Sequence, residues 1–384
     1  MDKEFIDIAP FNDEEAAAAL VRVSNHPNIP WISKYIFPDQ PQTYLRDLLR
    51  SIHTVDEFQI MVMSKAVDWV IEKSVSDFSY DGMENIKALD SKYLAMSNHR
   101  DIILDPAFIQ IILFANKLPG TEICVGDNLL SSKTIELLIR SNRMIKVIRG
   151  ISARELYNSS QVLSRYIREE ITSGSSSVWI AQRQGRTKDG SDSTEQGLLK
   201  MLDMSGTKDF AQNYNELHIV PISVSYEYEP CDILKAREKF ISRTQKYVKS
   251  EDEDLHSIMV GLKQFKGNVH LEFGKALTED EIQEVASVGE KNDRYQALRQ
   301  IIDRRIIGNY RLWKTNYMAY DMVNHTTKYS DYYEKSDMEA FEAYLAYQLI
   351  KLEPSLDRNG VQDILLRIYS NPVANRELLD QGLL

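Results

Sequence analysis

Between about residue 79 and residue 275, short apolar runs alternate with helix-like stretches, and this alternation limits the fold more than any other feature of the chain. The runs lie at 93–97, 123–125, 144–148, 178–181, 218–226 and 269–273. Each has the length of a strand, and most of the intervals between them are long enough for the crossover that joins two parallel strands. The pattern predicts an α/β domain with a mostly parallel central sheet flanked by helices. A chain of 384 residues exceeds what such a domain needs, so we divide it into an N-terminal helical region (1–78), the α/β domain (79–275) and a C-terminal helical extension (276–384).

The flanking regions read as helices for separate reasons. Pro27, Pro30, Pro38 and Pro41 each remove a backbone donor, which breaks the stretch 14–74 into short pieces, the longest at 61–71. After Lys275 the strand runs stop. Thr278 with Glu281 and Ser336 with Glu339 have capping-box spacing, and each pair predicts a helix start. The first helix is expected to run through Leu298, Ile302 and Ile306 to Gly308 and Asn309, and the second to align Phe341, Tyr344, Leu345 and Gln348.

Several classes of protein are excluded. The longest uncharged apolar run, 106–116, has eleven residues, against about 20 for a membrane-spanning helix. The first thirty residues carry acidic groups and no basic leader, so a cytoplasmic protein is expected. Cys124 and Cys231 stand 107 positions apart, which leaves no disulfide scaffold or zinc ribbon, and no metal centre is expected. The net charge of -11 disfavours nucleic acid as a partner. The segment 133–189 nevertheless holds eleven Lys or Arg against five Asp or Glu, a balance that points to an anionic ligand or surface.

The sharpest local signal is Ser97-Asn98-His99-Arg100-Asp101-Ile102-Ile103-Leu104-Asp105-Pro106, directly after the run at 93–97. A histidine leaving a strand end is placed where an open α/β sheet presents its ligands. The block resembles the N-H-x-x-x-x-D block of the glycerolipid acyltransferase superfamily, which includes glycerol-3-phosphate and 1-acylglycerol-3-phosphate acyltransferases. Met144 to Arg149 is similar to the second block, a strand ending in arginine. Trp179-Ile180-Ala181-Gln182-Arg183-Gln184-Gly185-Arg186 resembles the third, and Ile219 to Tyr226, with Pro221, the fourth. Upstream, Tyr80-Asp81-Gly82-Met83-Glu84-Asn85-Ile86 resembles the segment that opens such domains. Two departures stand out: the spacing from His99 to Asp105 is one residue longer than the family's, and Gln184 replaces a glutamate.

The resemblance implies an O-acyltransferase of phospholipid biosynthesis. It would move a fatty acyl group from a coenzyme A or acyl carrier protein thioester to a hydroxyl of glycerol 3-phosphate or its monoacyl form. His99 is then the general base, because an alcohol at neutral pH needs a proton acceptor as it attacks a thioester. Asp105 orients it, with Asp101 as the rival. Gly185 contributes to the oxyanion site, and Arg149, Arg183, Gln184, Arg186 and Pro221 line the acceptor, guanidinium groups being matched to phosphate. Pro221 is expected at an edge or bulge, because it lacks a ladder donor. The thioester is the co-substrate and no cofactor is implied. Without a spanning helix, contact with lipid is expected to be peripheral, at the inner face of the cell membrane. Two alternatives remain open: acylation of another acceptor, such as an amino-acid lipid, and a catalytically weakened lipid-binding or interaction protein.

Overall fold

A computed structural model describes residues 2–130, 132–149, 152–250 and 252–384. Seven strands form one sheet: β1 (Val75–Asp81), β2 (Leu94–Ser97), β3 (Glu122–Gly126), β4 (Met144–Val147), β5 (Val178–Ala181), β6 (Val220–Tyr226) and β7 (Gly267–Phe273). Their spatial order is β1-β7-β6-β2-β5-β3-β4. Five strands, β6-β2-β5-β3-β4, run parallel. β7 is antiparallel to β6, and β1 is parallel to β7. The expected α/β class with a mostly parallel sheet is therefore present, together with a reversed pair at one side that the apolar runs did not reveal.

Alternation along the strands explains why both faces are covered. Leu94 and Met96 of β2, with Val178 and Ile180 of β5, join a core against helices Ala153–Thr172, Gln196–Asp203 and Lys291–Asn309. Ala95 and Trp179 point to the other face, where helix Leu104–Ala115 packs with helix Ser64–Ser74. Strands buried on two faces read as continuous apolar runs, the form in which these appear in the chain. β1 was missed because it is half polar: Ser76, Asp77, Tyr80 and Asp81 are exposed on this edge strand.

The regions outside the sheet depart from expectation in detail. The helix after Thr278 is two helices, Glu279–Ser287 and Lys291–Asn309, separated around Gly289. The capping box of Thr278 and Glu281 is formed. That of Ser336 is not: helix Lys335–Ile350 starts two residues earlier, with Glu334 and Asp337 satisfying each other's backbone donors. The last helices pack with helix Asp232–Ile241 around Phe341, Leu345, Leu365 and Tyr369. Buried Asp232 fastens this cluster by accepting from the hydroxyls of Tyr344 and Tyr369, each at 2.7 Å. Among the described residues no helix is long and apolar enough to cross a membrane.

Candidate active site

The C-terminal ends of β2, β3, β4, β5 and β6 lie along one edge of the sheet, so the loops that leave them meet there. His99 follows β2 at this edge, and its Nδ1 lies 2.9 Å from Asp105 Oδ2. A carboxylate only accepts, so Nδ1 carries the proton, and the Nε2 lone pair has no hydrogen-bond partner among the described residues. Asp105 is fully buried in the first turn of helix Leu104–Ala115. Its Oδ2 also accepts from the backbone amides of Arg100 (2.6 Å) and Asp101 (2.9 Å), and its Oδ1 from the Tyr226 hydroxyl (2.8 Å). Four donors converge on one carboxylate and hold both it and the imidazole in place.

The extra residue between His99 and Asp105 is absorbed by the turn. Asp101 Oδ1 accepts from the amides of Ile103 and Leu104, each at 2.9 Å, which caps the helix that carries Asp105. Of the two rivals, Asp105 is therefore the one that faces Nδ1, while Asp101 holds the helix start. Trp179 backs the imidazole edge-on, with ring centroids 6.1 Å apart, and is fixed by its Nε1 donating to Ser97 Oγ at 3.0 Å.

The loop after β5 wraps this centre. The Thr187 amide donates to the His99 carbonyl at 2.9 Å, and Gln184 is exposed, with its own amide donating to Glu195 Oε2 at 3.1 Å. Gly185 has φ 71° and nothing within 4 Å of where a Cβ would stand. Glycine is needed there for a left-handed backbone facing open space, not for close approach to the protein. Arg149 follows β4 and passes over Gly126, where a Cβ would come within 2.9 Å of Arg149 Cζ. Burial pushes the Arg149 pKa down, opposed by the Asp127 carboxylate.

Five of the eleven cations of the basic segment are paired with carboxylates. Lys133 pairs with Glu136, Arg143 with Asp56, Arg165 with Glu4, Arg168 with Glu216 and Lys188 with Glu238. Among the described residues, Arg149, Arg183 and Arg186 form no ion pair within 4.0 Å, and buried Arg183 Nε and Arg186 Nη1 lack hydrogen-bond partners. Arg186 also lines a cavity of about 1080 Å³ whose walls include Ile233, Met259, Val260, Tyr344 and Leu352.

Pro221 departs from expectation. It lies second in β6, an interior strand rather than an edge, and is buried. Its carbonyl accepts from Gly274 at 2.9 Å, just beyond the end of β7. A residue's N–H and C=O point to the same side of a strand, so the donor that proline lacks would also have faced Gly274, and one ladder bond is forgone at the end of the β6–β7 pairing. Pro221 is paired in register with Met96, below the strand end that carries His99.

Groups that the chain did not announce complete the site. Asn98 clasps β6, donating to the Val224 carbonyl (3.0 Å) and accepting from its amide (2.8 Å). Arg100 is fully buried; it pairs with Asp192 and with Glu229 (3.1 Å), while Lys235 binds the same Glu229 and the Arg100 carbonyl (2.7 Å). Burial opposes the Arg100 charge, but the two carboxylates outweigh it and its pKa is raised. Asn98, Arg100 and Tyr226 lie inside recognisable blocks. Asp192 and Glu229 had no local signal, because their partners are 92 and 129 residues away.

Comparison with known proteins relates this region to one family. Residues 77–225 match the family model described as Acyltransferase. This stretch is similar to that acyltransferase family. The first three blocks, and all of the fourth except Tyr226, fall within the matched residues. Among solved structures, the chain is similar to the crystal structure of the 1-acyl-sn-glycerophosphate (LPA) acyltransferase, PlsC, from Thermotoga maritima. The identity is 13%, the alignment covers 77% of this chain and 94% of that one, and the TM-score is 0.38. No curated protein matches the chain.

Proposed function

We propose that the protein transfers a fatty acyl group from a carrier thioester to a hydroxyl of glycerol 3-phosphate or 1-acylglycerol 3-phosphate. The observation that carries this reading is the His99 imidazole, oriented through Nδ1 by Asp105 at 2.9 Å and free at Nε2. Nε2 takes the hydroxyl proton as the oxygen attacks the thioester carbonyl. The C–S bond then breaks, and the imidazolium returns the proton to the departing thiolate, so ester and free thiol are the products. The substrate supplies the hydroxyl, and no acyl-enzyme is formed. Backbone amides around Gly185 meet the charge that develops on the carbonyl oxygen. Arg149, Arg183 and Arg186 bind the phosphate, a role that suits guanidinium groups not already paired with carboxylates. The cavity beside Arg186 offers apolar walls to the lipid part of a substrate. Donors of the coenzyme A or acyl carrier protein type suffice without a further cofactor, and the protein works in the cytoplasm, peripheral to the inner face of the membrane.

Purified protein assayed with both donor thioesters against glycerol 3-phosphate, its monoacyl form and an amino-lipid acceptor tests this reading. Ester formation on a glycerol phosphate is expected. Acylation of the amino-lipid alone would transfer the proposal to that acceptor, and no turnover with any pair would sink it. Gln184 lies exposed where a weakened site would be recognised. Gln184→Glu is expected to change kcat less than tenfold, and a larger gain would identify this chain as a weakened enzyme.

A further inference from the structure

The segment Tyr80 to Ile86 plays no part in the chemistry above, yet it brings one carboxylate to an unusual place. β1 and β7 run parallel, with Ser79 beside His270 and Asp81 beside Glu272. Alternate residues of a strand share a face, so all four side chains stand on one side of this two-strand ribbon. The result is a compact group of one imidazole and two carboxylates: the ligand atoms of Asp81, His270 and Glu272 lie within 4.8 Å of one another.

We propose that Asp81, His270 and Glu272 form a binding site for a first-row divalent cation, with Zn²⁺ the best match to this donor set. His270 Nε2 lies 3.8 Å from Asp81 Oδ2 and 3.6 Å from Glu272 Oε2. Both distances are too long for hydrogen bonds, and they are close to the edge of about 3.3 Å that a tetrahedron with zinc-ligand bond lengths requires. The imidazole side chain is only 3% exposed, and its Nε2 has no hydrogen-bond partner among the described residues. Its Nδ1 is engaged with Ser79 Oγ at 3.0 Å, the outer contact that fixes ring orientation in metal sites. Gly82, with φ 80°, leaves room beside Glu272, whose Oε1 would lie 2.9 Å from a Cβ there.

The surrounding charge favours a cation. Asp77 and Asp81 act on His270, and Asp81 and Glu84 act on Glu272; Arg311 acts on both from the C-terminal region. Four carboxylates thus face one guanidinium. Arg311 donates to Asp81 and Ser79 only at 3.4 Å, and its exposed side chain can swing aside. Three protein ligands leave one position for water, and the ion would pin the edge strand β1 to β7. The site stands apart from His99 and does not depend on the activity proposed for it.

Tag-free, chelator-treated full-length protein titrated with ZnCl₂ by calorimetry at pH 7.5 tests the site, with melting temperature followed in parallel. One saturable Zn²⁺ per chain is expected, with a Tm rise of several degrees at saturation. Asp81→Asn, at an exposed position that leaves folding intact, should weaken binding at least about tenfold, and His270→Ala should abolish it. If His270→Ala does not fold, Asp81→Asn carries the test alone. Absence of saturable binding up to millimolar Zn²⁺, or binding unaltered by Asp81→Asn, overturns the proposal.

Discussion

His99 and Arg100 are neighbours on one loop, yet they sit in opposite electrostatic settings. The His99 side chain is 13% exposed and has one nitrogen fixed and one free. The Arg100 side chain is 1% exposed, and its terminal nitrogens are held by Asp192, Glu229 and the Gly190 carbonyl. The first group is oriented by Asp105 but left open to a substrate. The second belongs to a sealed network that ties β2 to the loop after β5 and, through Glu229 and Lys235, to helix Asp232–Ile241. Buried charge of the second kind is costly to disrupt and contributes little chemistry. Reactivity here comes from access and an unfilled lone pair rather than from the amount of charge.

Removing the open group is therefore expected to have the largest effect on turnover and almost none on folding. His99→Ala should lower kcat by about 10³-fold or more with Tm unchanged, as read by acyl-transfer rates and thermal melts. Asp105→Asn keeps the shape but can present an amide to Nδ1, favouring the wrong tautomer, and a loss of about 10²-fold is expected. Asp101→Ala removes a helix cap, and should cost about 1 kcal/mol of stability and less than tenfold in rate. If Asp101→Ala proved as damaging to kcat as Asp105→Asn, the distinction between orienter and cap would fail.

The sealed network should respond in the reverse sense. Glu229→Gln leaves Arg100 and Lys235 sharing one fewer carboxylate inside the protein, and a stability loss of about 3–5 kcal/mol is expected by denaturant titration. Activity per folded molecule should fall far less. A large kcat defect at full stability would place this network in the chemistry and erase the contrast with His99.

The difference between the two settings was only partly legible in the chain. The block from Asn98 to Asp105 announced itself because the contacts that orient the imidazole are mostly local: Asp105 reaches His99, Arg100 and Asp101 within one turn and a helix start. The unpaired arginines were found by position after strands, a rule of open α/β sheets rather than of these residues. Asp192, Glu229 and Lys235 are ordinary loop and helix charges until folding brings them to Arg100. Pro221 misled for a related reason: an interior strand can forgo one ladder bond where its pairing with a neighbour ends, and that depends on where β7 ends. β1 escaped notice because an edge strand keeps polar residues, and the reversal of β7 leaves no periodic trace.

Glu122 provides the finest test of whether an unfilled group marks function. It is 7% exposed at the start of β3, on the sheet edge opposite to His99, and its polar partner is the Tyr166 hydroxyl at 2.8 Å. Burial, reinforced by Glu170, pushes its pKa up to about 7. The folded protein then binds a proton between pH 4.5 and 7 that the unfolded chain has released. Its stability must fall as pH rises through that window. The shift corresponds to about 3 kcal/mol at most, so Glu122→Gln, which keeps an acceptor for Tyr166, should stabilise the protein by about 2 kcal/mol at pH 8 and hardly at all at pH 4.5. Melts across this range should show the wild type losing Tm where the variant stays flat, with acyl transfer the same in both. A parallel loss of activity in Glu122→Gln would mean that a strained carboxylate far from the imidazole serves the reaction, and that openness to substrate is not what separates working charge from scaffold.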